Sequence, residues 1–162
     1  MTGVLRRRGT LAVAGVALAV ALVAAVLIVV LATRGSSPSG SIAVAAGQQI
    51  YRTGIDPNGT PIAYSGGTMM RASCATCHGV DGRGRTTPMV TAPNITYTNL
   101  TSPQGMLAPD GSRGPTYTDA AIRKAVTQGI DPTGASLAAA MPRWQLNDQA
   151  WTDLLAYLKT LG

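Results

Sequence analysis

CATCHG, residues Cys74–Gly79, holds both cysteines of the 162-residue chain and its single histidine. On a helical turn Cys74 and Cys77 stand at i, i+3 and Cys74 and His78 at i, i+4, so all three share one face, with neighbours about 5–6 Å apart. Two sulfurs and an imidazole at that spacing suit two thioether bonds to one porphyrin, with the imidazole turned toward its iron. C-x-x-C-H is the attachment signature of a c-type haem. Three other chemistries fit less well. A dithiol redox pair wants a βαβ setting, which the sequence does not suggest, and has no use for His78. Zinc needs four ligands, and the chain has no further Cys or His. A disulfide closing so short a loop adds little stability in the chain-entropy model. The motif therefore predicts Cys74 and Cys77 as covalent attachment points and His78 as an axial ligand of one haem c.

The remainder of the chain places this motif outside the cytoplasm. Residues 1–10 carry Arg6, Arg7 and Arg8, three of the charges behind a formal net charge of +6. They precede LAVAGVALAVALVAAVLIVVLA, residues 11–32, a run without a charge. As a helix these residues would extend roughly 33 Å, enough to cross a hydrocarbon core of about 30 Å. A cleaved secretory signal is the alternative, with Val30-Leu31-Ala32 as the cleavage site, but its apolar region is usually only about 7–15 residues. In either case the arginines stay inside and everything after Ala32 faces outward, where free thiols tend to be oxidised or chemically occupied. A single-pass anchor in the cell membrane, with the haem domain on the extracytoplasmic side, is the expected arrangement. Beyond Thr33 ten Lys/Arg face seven Asp/Glu. That balance offers no clustered basic stripe, and nucleic acid is not an expected partner.

TRGSSPSGS, residues 33–41, reads as a flexible linker. Residues 42–162 then have the size of one domain. They contain 19 Leu, Ile and Val in 121 positions, about 16%, below the roughly 20% level at which disorder becomes a concern, although the low net charge argues against disorder. A buried apolar cofactor would supply the missing interior. Helices are predicted from Ile42 to Thr53, ending at Gly54; from a Thr118 N-cap to a Gly129 C′ residue; and from an Asn147 cap through Trp151, Leu154, Leu155 and Leu158. Pro88 to Pro115 reads as loop. No strand-type alternation is evident, and the expected fold class is all-α.

GIDPNGTPI (residues 54–62) resembles GIDPTGASL (residues 129–137), and the shared C-cap glycine and Asp-Pro-x-Gly turn account for both. Calcium at Asp56 and Asn58 would lack most of the usual loop pattern. NGT, NIT and NLT match the glycosylation acceptor in form only.

CATCHGVDGRG, followed by MPRW from Met141, resembles the class I monohaem c-type cytochromes over about residues 42–162. Gly47, Tyr51 and Tyr157 match positions where that family's terminal helices cross. APNIT, YTDAAIRKAVTQGI and LLAYLKTL further resemble cytochromes that partner membrane dehydrogenases and respiratory complexes. The resemblance implies about four helices around one covalently bound haem, here preceded by the transmembrane helix, with Met141 as distal axial ligand. Met69, Met70, Met89 and Met106 compete with it, and ordinary packing is the alternative for any methionine. It also implies a proline carbonyl bonded to the proximal imidazole, and Pro88 and Pro93 are both in range. Arg83, Arg85, Arg143 and Trp144 stand as candidates for the haem propionates, with solvated surface or core packing equally open to each.

With both axial positions filled and no second histidine for base work, the expected activity is electron transfer without a small-molecule substrate. The chain reads as a tethered shuttle between redox proteins: a membrane dehydrogenase, a quinol:cytochrome c reductase or a terminal oxidase. Two alternatives are a haem subunit held permanently in a dehydrogenase or oxidase complex, and a ligand-binding haem protein such as a peroxidase or sensor.

Overall fold

Helix α1 spans Pro38–Thr53 and so begins four residues before the expected Ile42 start. The cause is local. Proline suits the first helical position, because its fixed φ is already helical and its missing N–H would go unpaired there anyway. The helix therefore starts inside the Ser/Gly/Pro segment rather than after it. The structure, a computed structural model, describes residues 38–68, 73–88 and 90–162. The basic N-terminus 1–10, the apolar run 11–32, linker residues 33–37 and Met69, Met70 and Met89 all lie outside the described residues. Among the described residues no helix is long and apolar enough to cross a membrane.

Among the described residues four more helices follow: α2 (Cys74–His78), α3 (Tyr97–Leu100), α4 (Asp119–Gln128) and α5 (Asp148–Leu158). The two long ones start as their sequences dictate. Thr118 and Asn147 each accept an amide hydrogen bond through the side chain, from Ala121 and Ala150 respectively, which satisfies a donor the helix start leaves free. α4 stops at Gly129 in the left-handed region, φ 68°. α3 lies within the stretch expected to be loop. It forms because its ends are held from far away: the Tyr97 amide donates to the Leu161 carbonyl at 2.8 Å, and the Tyr117 amide to the Leu100 carbonyl at 2.8 Å.

Among the described residues the strands form two short ladders. β1 (Tyr64–Ser65) pairs antiparallel with β4 (Arg143–Trp144), Tyr64 opposite Trp144. β2 (Arg85–Thr86) pairs with β3 (Thr91–Ala92), Arg85 opposite Ala92. Helices thus dominate, as the expected class requires.

The core gathers Ile50 and Tyr51 from α1, Ile122 from α4, and Trp151, Leu154 and Leu158 from α5. α1 and α5 touch backbone to backbone at Gly47, where a Cβ would overlap the Asp153 carbonyl, and the Tyr51 and Tyr157 rings meet at 5.3 Å.

The nine-residue repeat is structural, and it has a third copy. In residues 54–62 the Asp56 amide donates to Thr60 and the Ile62 amide to Gly54; in 129–137 the Asp131 amide donates to Ala135 and the Leu137 amide to Gly129. Residues 106–114 repeat both bonds, Ala108 to Ser112 and Gly114 to Met106, with the same bridge geometry. That copy is hidden in the sequence because Ala108 stands where the others have aspartate. In the first two, Oδ1 of Asp56 or Asp131 accepts two backbone amides of its own turn, which explains the Asp without a bound cation.

Candidate haem-binding site

Ser73 starts the single turn of α2: its backbone is extended, and its Oγ accepts the Thr76 amide at 3.3 Å. Gly79 ends the turn at φ 79° and returns its amide to the Ala75 carbonyl. Between these caps Cys74, Cys77 and His78 all border one cavity of about 260 Å³, as does Met141 from the chain before β4. The lining is almost wholly apolar, with Ile122, Leu154 and Leu158 among its walls. Met106 borders the same cavity and is also packed against the hydrophobic core.

His78 is buried, and its Nδ1 lies 2.9 Å from the Pro93 carbonyl oxygen. A carbonyl only accepts, so Nδ1 carries the proton and Nε2 keeps its lone pair free for a metal. Burial holds the imidazole below its ordinary pKa, against the opposing pull of Pro93. Between the two prolines in range, the structure thus places Pro93 on the imidazole; Pro88 is exposed. Pro93 reaches that position because residues 82–84 fold against 92–95. The Gly84 amide donates to the His78 carbonyl at 2.9 Å, and the Ile95 amide to Gly82 at 2.7 Å.

The Cys74 thiol, in the absence of any bond to it, is pushed up to about 12 by burial. A thiol so reluctant to ionise is a poor disulfide-exchange nucleophile. Tyr51, fully buried, donates from its hydroxyl to the Gly79 carbonyl at 2.7 Å, and burial above all raises its phenol far beyond the usual range. α1 is thereby pinned to the end of the haem motif.

Of the four residues considered for propionates, Trp144 alone borders the cavity, its ring tilted against that of Tyr64 at 4.9 Å between ring centres. Arg83 lies at the surface in a loose pair with Asp81, and Arg85 is exposed in β2. Arg143 was not anticipated in the role it takes: its guanidinium donates to the carbonyls of Leu137, Ala138 and Met141. Only the three-dimensional path of the loop reveals this.

The donor set fits a haem. The apolar cavity would take a porphyrin face, the two thiols that border it would form its thioether links, and the imidazole, with one nitrogen already satisfied by Pro93, would offer the other to the iron. No curated protein and no solved structure shows significant similarity to this chain. The family model for cytochrome c, however, matches residues 44–162, nearly the whole of the described structure. The domain so matched carries covalently attached haem c, one for a domain of this size. From the motif, the cavity and this match together, the chain belongs to the cytochrome c family and is an electron-transferring haem protein.

Proposed function

We propose that this protein is a membrane-tethered monohaem electron carrier. Cys74 and Cys77 form the thioether links, His78 is the proximal ligand and Met141 the distal one. The observation that carries the reading is the meeting of these four side chains on one apolar cavity, with Nδ1 of His78 already bonded to Pro93. The haem iron supplies one-electron chemistry. The chain's own residues fix the imidazole in one tautomer, keep water from the porphyrin face and present a loop-borne thioether. Met141 is preferred to Met106 because Met106 is packed against the hydrophobic core, as an ordinary gap-filling methionine would be. A thioether opposite an imidazole favours a higher potential than two nitrogen ligands would.

The uncharged residues 11–32 behind an arginine cluster support a retained anchor, with the domain on the outer face of the membrane. Its partners are then membrane dehydrogenases, quinol:cytochrome c reductase or a terminal oxidase, met through a transient interface of under about 1,200 Å². Tethering raises the effective concentration near such partners, so a modest affinity suffices.

Spectra of the native and denatured protein in both oxidation states test the centre. Expected are haem that stays with the chain through denaturation and organic extraction, and a ferric sulfur-to-iron band that denaturant abolishes. Extractable haem, or ready carbon monoxide binding at neutral pH, would overturn the carrier reading. Recovery of the full chain in the soluble fraction of its host would overturn the tether.

A further inference from the structure

The chain between the second repeat copy and β4 is the part of the cavity wall that bears Met141, and one side chain holds it. We propose that Arg143 is the positioning residue for the distal methionine. Nη2 of Arg143 donates to the Leu137 carbonyl at 2.9 Å, while Nη1 donates to the Met141 carbonyl and lies 3.3 Å from that of Ala138. Three carbonyls spread over five residues thus converge on one planar cation. The other bonds of the loop complete its closure: Met141 amide to Ala138 carbonyl at 3.0 Å, Gly67 amide to Ala139 carbonyl at 3.1 Å, and Leu137 amide to Gly129 carbonyl at 2.8 Å.

The guanidinium is itself confined. Its residue sits in β4 opposite Ser65. Its head packs against Gly129, where a Cβ would overlap Nε and Cζ. That glycine ends α4, so the cation also rests by the negative end of a helix. A lysine would supply the charge but not the fork, since an ammonium is a point donor.

The physical consequence concerns the loop and not the haem. A chain segment whose carbonyls are tied to one rigid donor keeps its side chain presented without re-ordering, and that pre-organisation favours a weak ligand. The inference rests on the proposed ligation by Met141. Arg143 is the group that keeps the thioether in place when thermal motion or a competing ligand would displace it.

The test uses the haem-loaded protein and follows the ferric sulfur-to-iron band with temperature, alongside global melting by circular dichroism and carbon monoxide uptake by the ferrous form. In Arg143→Gln the band is expected to vanish well below the global transition, and the carbon monoxide-accessible fraction to rise at least about tenfold, from loss of charged hydrogen bonds. Arg143→Lys should rescue only part of this. Met141→Ala serves as reference. If it abolishes the band while Arg143→Gln leaves band and uptake unchanged, the positioning role is refuted and the ligand stands. If Met141→Ala retains the band, the ligand assignment falls and this inference with it.

Should Arg143→Gln fail to fold, Gly129→Ala displaces the guanidinium without deleting it. Gly134→Ala, at φ 91° with nothing within 4 Å of its Cβ, controls for backbone strain alone. A larger loss of band stability in Gly129→Ala supports the clamp, and equal losses overturn it.

Discussion

Gly84 explains why Pro93, and not Pro88, holds the haem-side imidazole. It adopts φ 84°, and a Cβ there would lie 2.5 Å from the Ala92 carbonyl oxygen and 2.7 Å from the Pro93 carbonyl carbon. Gly84→Ala must push the backbone of residues 92–94 away, and the Pro93 oxygen leaves Nδ1 of His78 with it. The expected cost is about 1–3 kcal/mol of stability from strain at positive φ. That bond makes the imidazole a stronger donor and so favours ferric iron; weakening it should raise the reduction potential. Met141→Ala, on the proposed ligand set, should lower it. Redox titration of the two variants decides the matter: shifts of the same sign would contradict this division of roles. That Cys74, Cys77 and His78 border one cavity could be read from spacing along the chain, because one helical turn fixes their geometry. The proline could not, because its selection depends on a fold-back from Gly82–Gly84 onto Ala92–Ile95 that no local pattern announces. Arg143 escaped for the same reason: its partners span a loop whose path is set by β1 and by Gly129.

Helix boundaries obey the same distinction between near and far. α4 and α5 were legible because Thr118, Asn147 and Gly129 act within a few residues of themselves. α3 was not, since its ends are held by Leu161 and Tyr117, and Tyr97 donates its hydroxyl to Asp119 at 2.8 Å. Asp119 also meets Lys159 at 2.7 Å, so one carboxylate ties α3, α4 and the end of α5. The Lys159 bond, first, and the Tyr97 bond hold Asp119 below the usual carboxylate range. A depressed folded-state pKa contributes stability above the unfolded value, near 4, that is lost as pH falls through the folded one. Both side chains are more than 40% exposed, so the tie contributes at most about 1 kcal/mol. Asp119→Asn should therefore lower the melting temperature slightly at pH 6 and leave it unchanged at pH 2, as read by circular dichroism. A difference that persists at pH 2 would place the effect elsewhere. The α1–α5 crossing gives a sharper case. Within a helix alanine normally gains about 1 kcal/mol over glycine, yet at Gly47 a methyl would overlap the Asp153 carbonyl and press on Tyr157. Backbone cannot move aside as a side chain does, so Gly47→Ala is expected to destabilise by about 1–3 kcal/mol. A stabilised variant would show that the two helices do not touch as described.

A domain with 19 Leu, Ile and Val among residues 42–162 still has a defined centre, and the way it does so carries the last expectation. Among the described residues its largest fully buried side chains are Tyr51 and Leu154, and both border the cavity. Ile122 from α4 and Leu158 from α5 border it too. The helices therefore pack partly against one another and partly toward a space that protein atoms do not fill. Apolar side chains that line a space without partner atoms forfeit packing contacts there, and a space of about 260 Å³ at the centre of a small domain is a liability to its stability. The haem converts that liability into interior. Chain produced where haem is not attached should accordingly keep part of its helical signal, from the locally capped α4 and α5. It should lack a cooperative thermal transition and bind an apolar dye, the behaviour of a collapsed state without fixed packing. Cys77→Ser matured with haem should fall between the two, retaining one covalent link through Cys74 but melting earlier and at lower yield. Calorimetry on the three forms distinguishes these states. A haem-free chain melting as cooperatively as the loaded one would mean that side chains alone complete the core, and that the cavity is not where this fold draws its stability.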